Sequence, residues 1–200
     1  MSYLGTIGEE DARTDVQRMY AADRERQGYV SNHTKTFSLH PEAYTAWLAL
    51  NGAIKGGMDL RRYELATVAA ARRLRSSYCS LAHGKALLEQ GMLEEADLVR
   101  VMQAEPAETL DEVDRAVIEL ADKVAAGAAD LTEADLQPLR ELGLADADIL
   151  DVILAAAARC FFSAVLDATG TQADAALVSH FSPEALVALT VGRPAEAGGA

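Results

Sequence analysis

Short polar breaks divide the chain into stretches whose apolar residues recur every three or four positions, and the every-other-residue alternation of a half-buried strand is scarce. Val16, Met19 and Tyr20 share one face of a polar segment over residues 9–27, with Gly28 placed as a C-terminal cap. Residues 29–39 carry turn-formers and no period, so an extended lead-in is expected there. Pro41 suits a first helical position and Glu42 a first turn, so a second helix starts at His40-Pro41-Glu42, buries Tyr44, Trp47 and Leu48, and ends at Lys55-Gly56-Gly57. Asp59 is a good N-cap for a third helix from Leu60 to about Leu74. Ser76 or Ser77 can cap a fourth, which runs to Gln90 before Gly91 closes it. On that fourth helix Cys79, His83 and Leu87 fall at successive four-residue steps and share one face.

Punctuation marks the second half. A short helix over residues 94–102 is stopped by Pro106. Thr109 with Glu112 has the spacing of a capping box for a helix aligning Val113, Val117, Leu120 and Val124, and Thr132 with Asp135 has it for a helix ending at Gly143. Residues 146–168 are apolar on nearly all sides, which places them in a bundle centre or a subunit interface. A last short helix surrounds Leu186 and Leu189, and the Ala, Gly and Pro tail after Gly192 is expected to be loose. The organisation is therefore an all-α single domain: a polar helix in 1–28, a helical body over 29–180 with its core motif in 60–91, and a terminal stretch 181–200. Glu64–Arg72 (ELATVAAAR) and Asp151–Arg159 (DVILAAAAR) echo each other, which either a duplicated hairpin or shared alanine-rich composition would produce.

Composition narrows the class. Half of the 200 residues are hydrophobic, only 6% are aromatic and alanine is abundant, as in helical proteins. A formal charge of −13 argues against a general nucleic-acid or anionic-membrane partner, which would need a basic field. The start of the chain lacks the basic and apolar regions of a signal peptide, and the run Val152–Leu166, interrupted by Arg159, is shorter than the ~18 to 20 residues needed to cross a bilayer. A cytoplasmic location is expected. With two cysteines, a disulfide framework is not the natural reading. His33, His40 and His180 show no metal-ligand spacing with Cys79 or with one another, and no nucleotide loop or serine-hydrolase elbow is present, so neither metal nor cofactor is expected. Arg61, Arg62, Arg72, Arg73 and Arg75 form a basic cluster that could attract an anionic substrate or another subunit's acids, although a solvated helix face is the simpler reading.

The chemistry concentrates in residues 60–88. A cysteine reacts as its thiolate, which a helix N-terminus and a neighbouring proton acceptor both favour. Cys79 lies in the first turn after the Ser76-Ser77 cap, and His83 is placed to reach the sulfur from the same face and take its proton. Glu64 is the candidate carboxylate to orient His83, provided the third and fourth helices fold back on each other.

Glu64, then Ser76, Cys79 and His83, resemble the spacing E-x11-C-x2-C-x3-H of the AhpD-like alkylhydroperoxidases of the carboxymuconolactone decarboxylase superfamily, with Ser76 in place of the first cysteine. Tyr78 before Cys79, Gly28-Tyr29-Val30-Ser31-Asn32 and Leu39-His40-Pro41-Glu42 also resemble the peroxidase-related branch. The similarity is strong over residues 29–91 and diffuse to about 174.

The resemblance implies an AhpD-like helical bundle that assembles as a homo-oligomer, trimer or hexamer. It implies a peroxidase-related antioxidant enzyme in which Cys79 attacks a hydroperoxide, His83 is its base and Glu64 the proton relay. Because Ser76 cannot form the usual disulfide, three outcomes are open: reduction of oxidised Cys79 by an external thiol, resolution by Cys160, or non-redox chemistry. In the last, His83 would serve acid–base catalysis on a small carboxylated or lactone metabolite. An inactive oligomeric scaffold is the alternative outside enzymology.

Overall fold

A computed structural model of the chain describes residues 2–197, and these fold as a bundle of helices with no strand among them. Eleven α-helices follow in order: α1 (Thr14–Gln27), α2 (Asn32–Phe37), α3 (Pro41–Gly57), α4 (Leu60–Arg73), α5 (Ser77–Glu89), α6 (Glu95–Gln103), α7 (Glu112–Gly127), α8 (Glu133–Glu141), α9 (Asp146–Ala168), α10 (Ala175–Val178) and α11 (Pro183–Leu189). Helix α4 is the axis. It packs on α5, α7 and α9, and every residue from Tyr63 to Ala71 is buried, so the alanines there let neighbouring backbones approach on all sides.

Several expected boundary signals act as anticipated. Asp59 accepts the Arg62 N–H at 3.0 Å, Pro41 sits in the first turn of α3, and Gly28 ends α1 in the left-handed region at φ 86°. Asp135 accepts the Thr132 N–H at 2.8 Å ahead of α8. Two expectations change. Residues 29–39 are not simply extended, because Asn32–Phe37 form helix α2, anchored by the Asn32 N–H on Asp174 (2.8 Å) and by Thr36 Oγ1 on Thr171 Oγ1 (2.7 Å). The box ahead of α7 is Asp111 with Asp114 rather than Thr109 with Glu112, since the Thr109 N–H is taken by Asp97 at 3.0 Å.

Helix α9 is long and apolar enough to span a bilayer by length and composition, but its Ile149, Val152, Ala155, Ala156, Phe162 and Leu166 are buried against the bundle. Its opposite side leaves Leu150, Leu154 and Phe161 exposed, at 54%, 38% and 50%. Beyond Gly192 the chain, expected to be loose, lies back on the body as far as it is described: the Glu196 N–H donates to Ala173 O at 2.8 Å. Residues 198–200 lie outside the described residues.

Candidate active site

Helices α4 and α5 fold back on each other about the break at Leu74–Ser76, where Arg75 adopts a positive φ of 57°. That reversal brings Glu64 to His83, whose Nδ1 is 2.6 Å from Glu64 Oε2. The other carboxylate oxygen accepts from Lys55 Nζ at 3.0 Å. Glu64 is buried, whereas Lys55 on α3 has a side chain 42% exposed, so this polar chain runs from solvent to the histidine. Burial alone pushes the Glu64 carboxyl up, but His83 and then Lys55 outweigh it and hold it down at about 2. Burial, and next the Arg159 cation, push His83 below its ordinary value. At neutral pH a neutral imidazole donates Nδ1–H to an ionised Glu64, which leaves Nε2 with its lone pair.

Cys79 is in the first turn of α5 and 1% exposed. Its sulfur accepts from Ser163 Oγ at 3.2 Å and from Arg159 Nη1 at 3.5 Å, two residues one turn apart on the buried face of α9. A direct bond to His83, expected from their four-residue spacing, is not among the sulfur's contacts. The thiol is instead held by the opposing helix while the imidazole turns toward α4. Arg159 is 4% exposed and, among the described residues, forms no ion pair and leaves its Nε without a partner. Its guanidinium carbon lies 5.4 Å from the Phe162 ring centroid and 5.9 Å from that of Trp47. Burial works against the Arg159 cation, but its contacts with Cys79 and then Tyr63 outweigh it and raise the guanidinium further. A buried cation is costly, and among the described residues the sulfur is the side-chain acceptor this arrangement gives it.

Tyr78, the residue before Cys79, belongs to a second buried network. Its hydroxyl donates to Asp174, so it must accept from His33 Nδ1–H (2.9 Å), and His33 Nε2 then accepts from Tyr44 (3.0 Å). This chain anchors the first turn of α5 to α2, α3 and the segment before α10.

Ser76 is buried and caps nothing with its side chain. Cys160 is partly exposed on the flank of α9, and both cysteines are free. The pair that meets Cys79 is Arg159 and Ser163 instead. The basic cluster is largely committed to structure: Arg61 pairs with Asp114, and Arg72 and Arg73 with Asp122.

Residues 41–106 match the model of the carboxymuconolactone decarboxylase family. The whole bundle resembles the AhpD-core, uncharacterised peroxidase-related protein of Ralstonia eutropha JMP134, with a TM-score of 0.80, 22% identity, and 88% of this chain and 94% of that one covered. Over residues 41–106 the chain matches the carboxymuconolactone decarboxylase family, and its fold is that of the AhpD core. A peroxidase-related protein of Silicibacter sp. TM1040 aligns at TM-score 0.71 and 22% identity over 88% and 90% of the two chains. The debrominase Bmp8, solved as a cysteine-to-alanine variant with 2,3,4-tribromopyrrole, aligns at TM-score 0.72 and 14% identity over 88% and 93%. No curated protein matches the chain by sequence. Glu64, Ser76, Cys79 and His83 fall inside the matched segment, whereas Arg159 and Ser163 come from beyond it.

Sequence reasoning missed Arg159, Ser163 and Lys55 as site residues. Arg159 had one available signal: a lone arginine inside the most apolar helix must face either a partner or an interface.

Proposed function

We propose that the protein is a thiol-dependent, peroxidase-like enzyme that reduces hydroperoxides through Cys79, with an external thiol completing the cycle. The observation that carries this reading is the Cys79 sulfur held by the buried guanidinium of Arg159 and by the Ser163 hydroxyl, at a helix N-terminus. Both donors and the helix dipole stabilise negative charge on the sulfur as it reacts. The sulfur attacks the peroxide O–O bond, forms an S–OH group and releases an alkoxide. His83, held by Glu64, manages the proton that leaves the thiol and returns to the alkoxide. Since Ser76 cannot resolve the sulfenic acid, an external thiol forms a mixed disulfide with loss of water, and a second thiol molecule releases Cys79 as a free thiol. The peroxidase-related names of two structural neighbours support this reaction class.

The exposed face of α9 suits a second copy of the chain, giving a cytoplasmic homo-oligomer. A non-redox reading is favoured by one observation: the His83–Glu64–Lys55 chain is complete without the thiol, and the free Nε of Arg159 could take a substrate carboxylate.

Turnover of cumene hydroperoxide with dithiothreitol separates the two. Loss of activity in Cys79→Ser supports the redox reading; wild-type protein that does not consume the peroxide overturns it.

A further inference from the structure

We propose that Lys55 is a positioning residue of the site: its ammonium holds Glu64 as a one-way acceptor, and this fixes the tautomer of His83. The inference deepens the proposed function and rests on it only where thiol chemistry is read out.

Lys55 is the point at which the buried polar chain meets water. Its Nζ lies 3.0 Å from Glu64 Oε1 and its side chain is 42% exposed, whereas the side chains of Glu64 and His83 are 2% and 15% exposed. It also sits over the Tyr63 ring, 5.3 Å from the centroid, and that ring makes an edge contact with His83 at 6.0 Å. The Tyr63 hydroxyl is tied to Asn51 Oδ1 at 2.8 Å, so the platform beneath the ammonium is fixed by α3 itself. Lys55 therefore touches both supports of the imidazole but not the sulfur.

The chemical consequence follows from what a buried carboxyl does without a countercharge. A neutral Glu64 would be favoured by burial, and a carboxylic acid can donate its proton to His83 Nδ1. The imidazole would then carry its hydrogen on Nε2 and could not accept a proton there. An ammonium on Oε1 removes that option by keeping both carboxylate oxygens as acceptors. Nδ1–H is then the only arrangement that satisfies the 2.6 Å contact when the imidazole is neutral. The charged groups around His83 come from three elements: Glu64 from α4, Lys55 from α3 and Arg159 from α9. Arg159 repels a proton on the ring, so it keeps His83 neutral but cannot select the tautomer. Lys55, acting through Glu64, can.

The role requires positive charge and a hydrogen-bond donor, not a removable proton. Arginine at position 55 should therefore serve as well as lysine, and an apolar side chain of similar length should not.

The test uses full-length wild type, Lys55→Met and Lys55→Arg. Imidazole nitrogen shifts of 15N-histidine-labelled protein report the His83 tautomer whatever the reaction proves to be. Wild type and Lys55→Arg should show the Nδ1–H form alone at pH 7, and Lys55→Met a mixture with Nε2–H. Carbamidomethylation of Cys79 by iodoacetamide, measured from pH 5 to 9, should be about tenfold slower at pH 7 in Lys55→Met and within about twofold of wild type in Lys55→Arg. A pure Nδ1–H spectrum in Lys55→Met would overturn the inference, as would a tautomer mixture in Lys55→Arg. If the tautomer shifts as expected while Cys79 alkylation is unchanged, Lys55 keeps its positioning role and the thiol reading is what fails.

Discussion

The Cys79 sulfur and the Arg159 guanidinium lie 3.5 Å apart in the centre of the bundle, and among the described residues no carboxylate pairs with either. The family-matched segment supplies the sulfur and helix α9, far along the chain, supplies the cation. The sulfur gives the buried guanidinium an acceptor in the core.

Removing one partner should therefore cost more than an ordinary truncation. Cys79→Ala leaves a buried cation unpaired, and a loss of about 3 kcal/mol is expected, against about 1 kcal/mol for a small apolar cavity. Arg159→Met added to Cys79→Ala should recover most of the difference. Urea unfolding of the four proteins in the double-mutant cycle measures the coupling directly.

The two buried polar networks make acid stability depend on His33 and Glu64. Burial pushes His33 down to about 4, with Asp23 opposing and Arg26 and Arg159 assisting. A histidine lowered in the folded state is protonated first in the unfolded chain. Its contribution is complete above pH 6.5 and is lost as pH falls from 6.5 toward 4, to a limit of about 3 kcal/mol. Glu64, held at about 2, adds a second loss confined to pH below about 4.5. Denaturant midpoints between pH 7 and 4.5 should fall in wild type and fall less steeply in His33→Gln.

How much of this was legible depended on whether a residue's partners are local. Caps such as Asp59 and Gly28 act within one turn, so chain order revealed them. Glu64 and His83 were legible because a family spacing ties them across one hairpin. Helix α2 was not, because six residues with little apolar period become helical only when Asn32 and Thr36 meet Asp174 and Thr171. Arg159 read as a break in an apolar run because its partner is 80 positions away. The four-residue spacing of Cys79 and His83 did give a shared helix, but the tertiary partners on α4 and α9 set where each side chain points.

Ser76 occupies the place where a second cysteine would close a redox cycle, and it is buried with no cap to make. Ser76→Cys should then form an internal disulfide with Cys79 after one equivalent of hydroperoxide. The readout is an intact mass two units below the reduced protein, and loss of that disulfide on adding Cys79→Ser confirms the pairing.

The exposed apolar side of α9 should be covered by another copy. Phe161, half exposed and packed at 5.5 Å against the Trp47 ring, is central to that side. Sedimentation equilibrium should give a multiple of the 21.3 kDa chain for wild type, and a smaller species for Phe161→Asp.

The proposed reaction makes Cys79, not Cys160, the reacting thiol. Intact-mass and peptide mass spectrometry after one equivalent of cumene hydroperoxide, with dimedone present, test it most directly. One dimedone adduct per chain is expected, on Cys79, absent in Cys79→Ser and strongly reduced in Arg159→Gln. No adduct on Cys79, or equal labelling of Cys79 and Cys160, would contradict it.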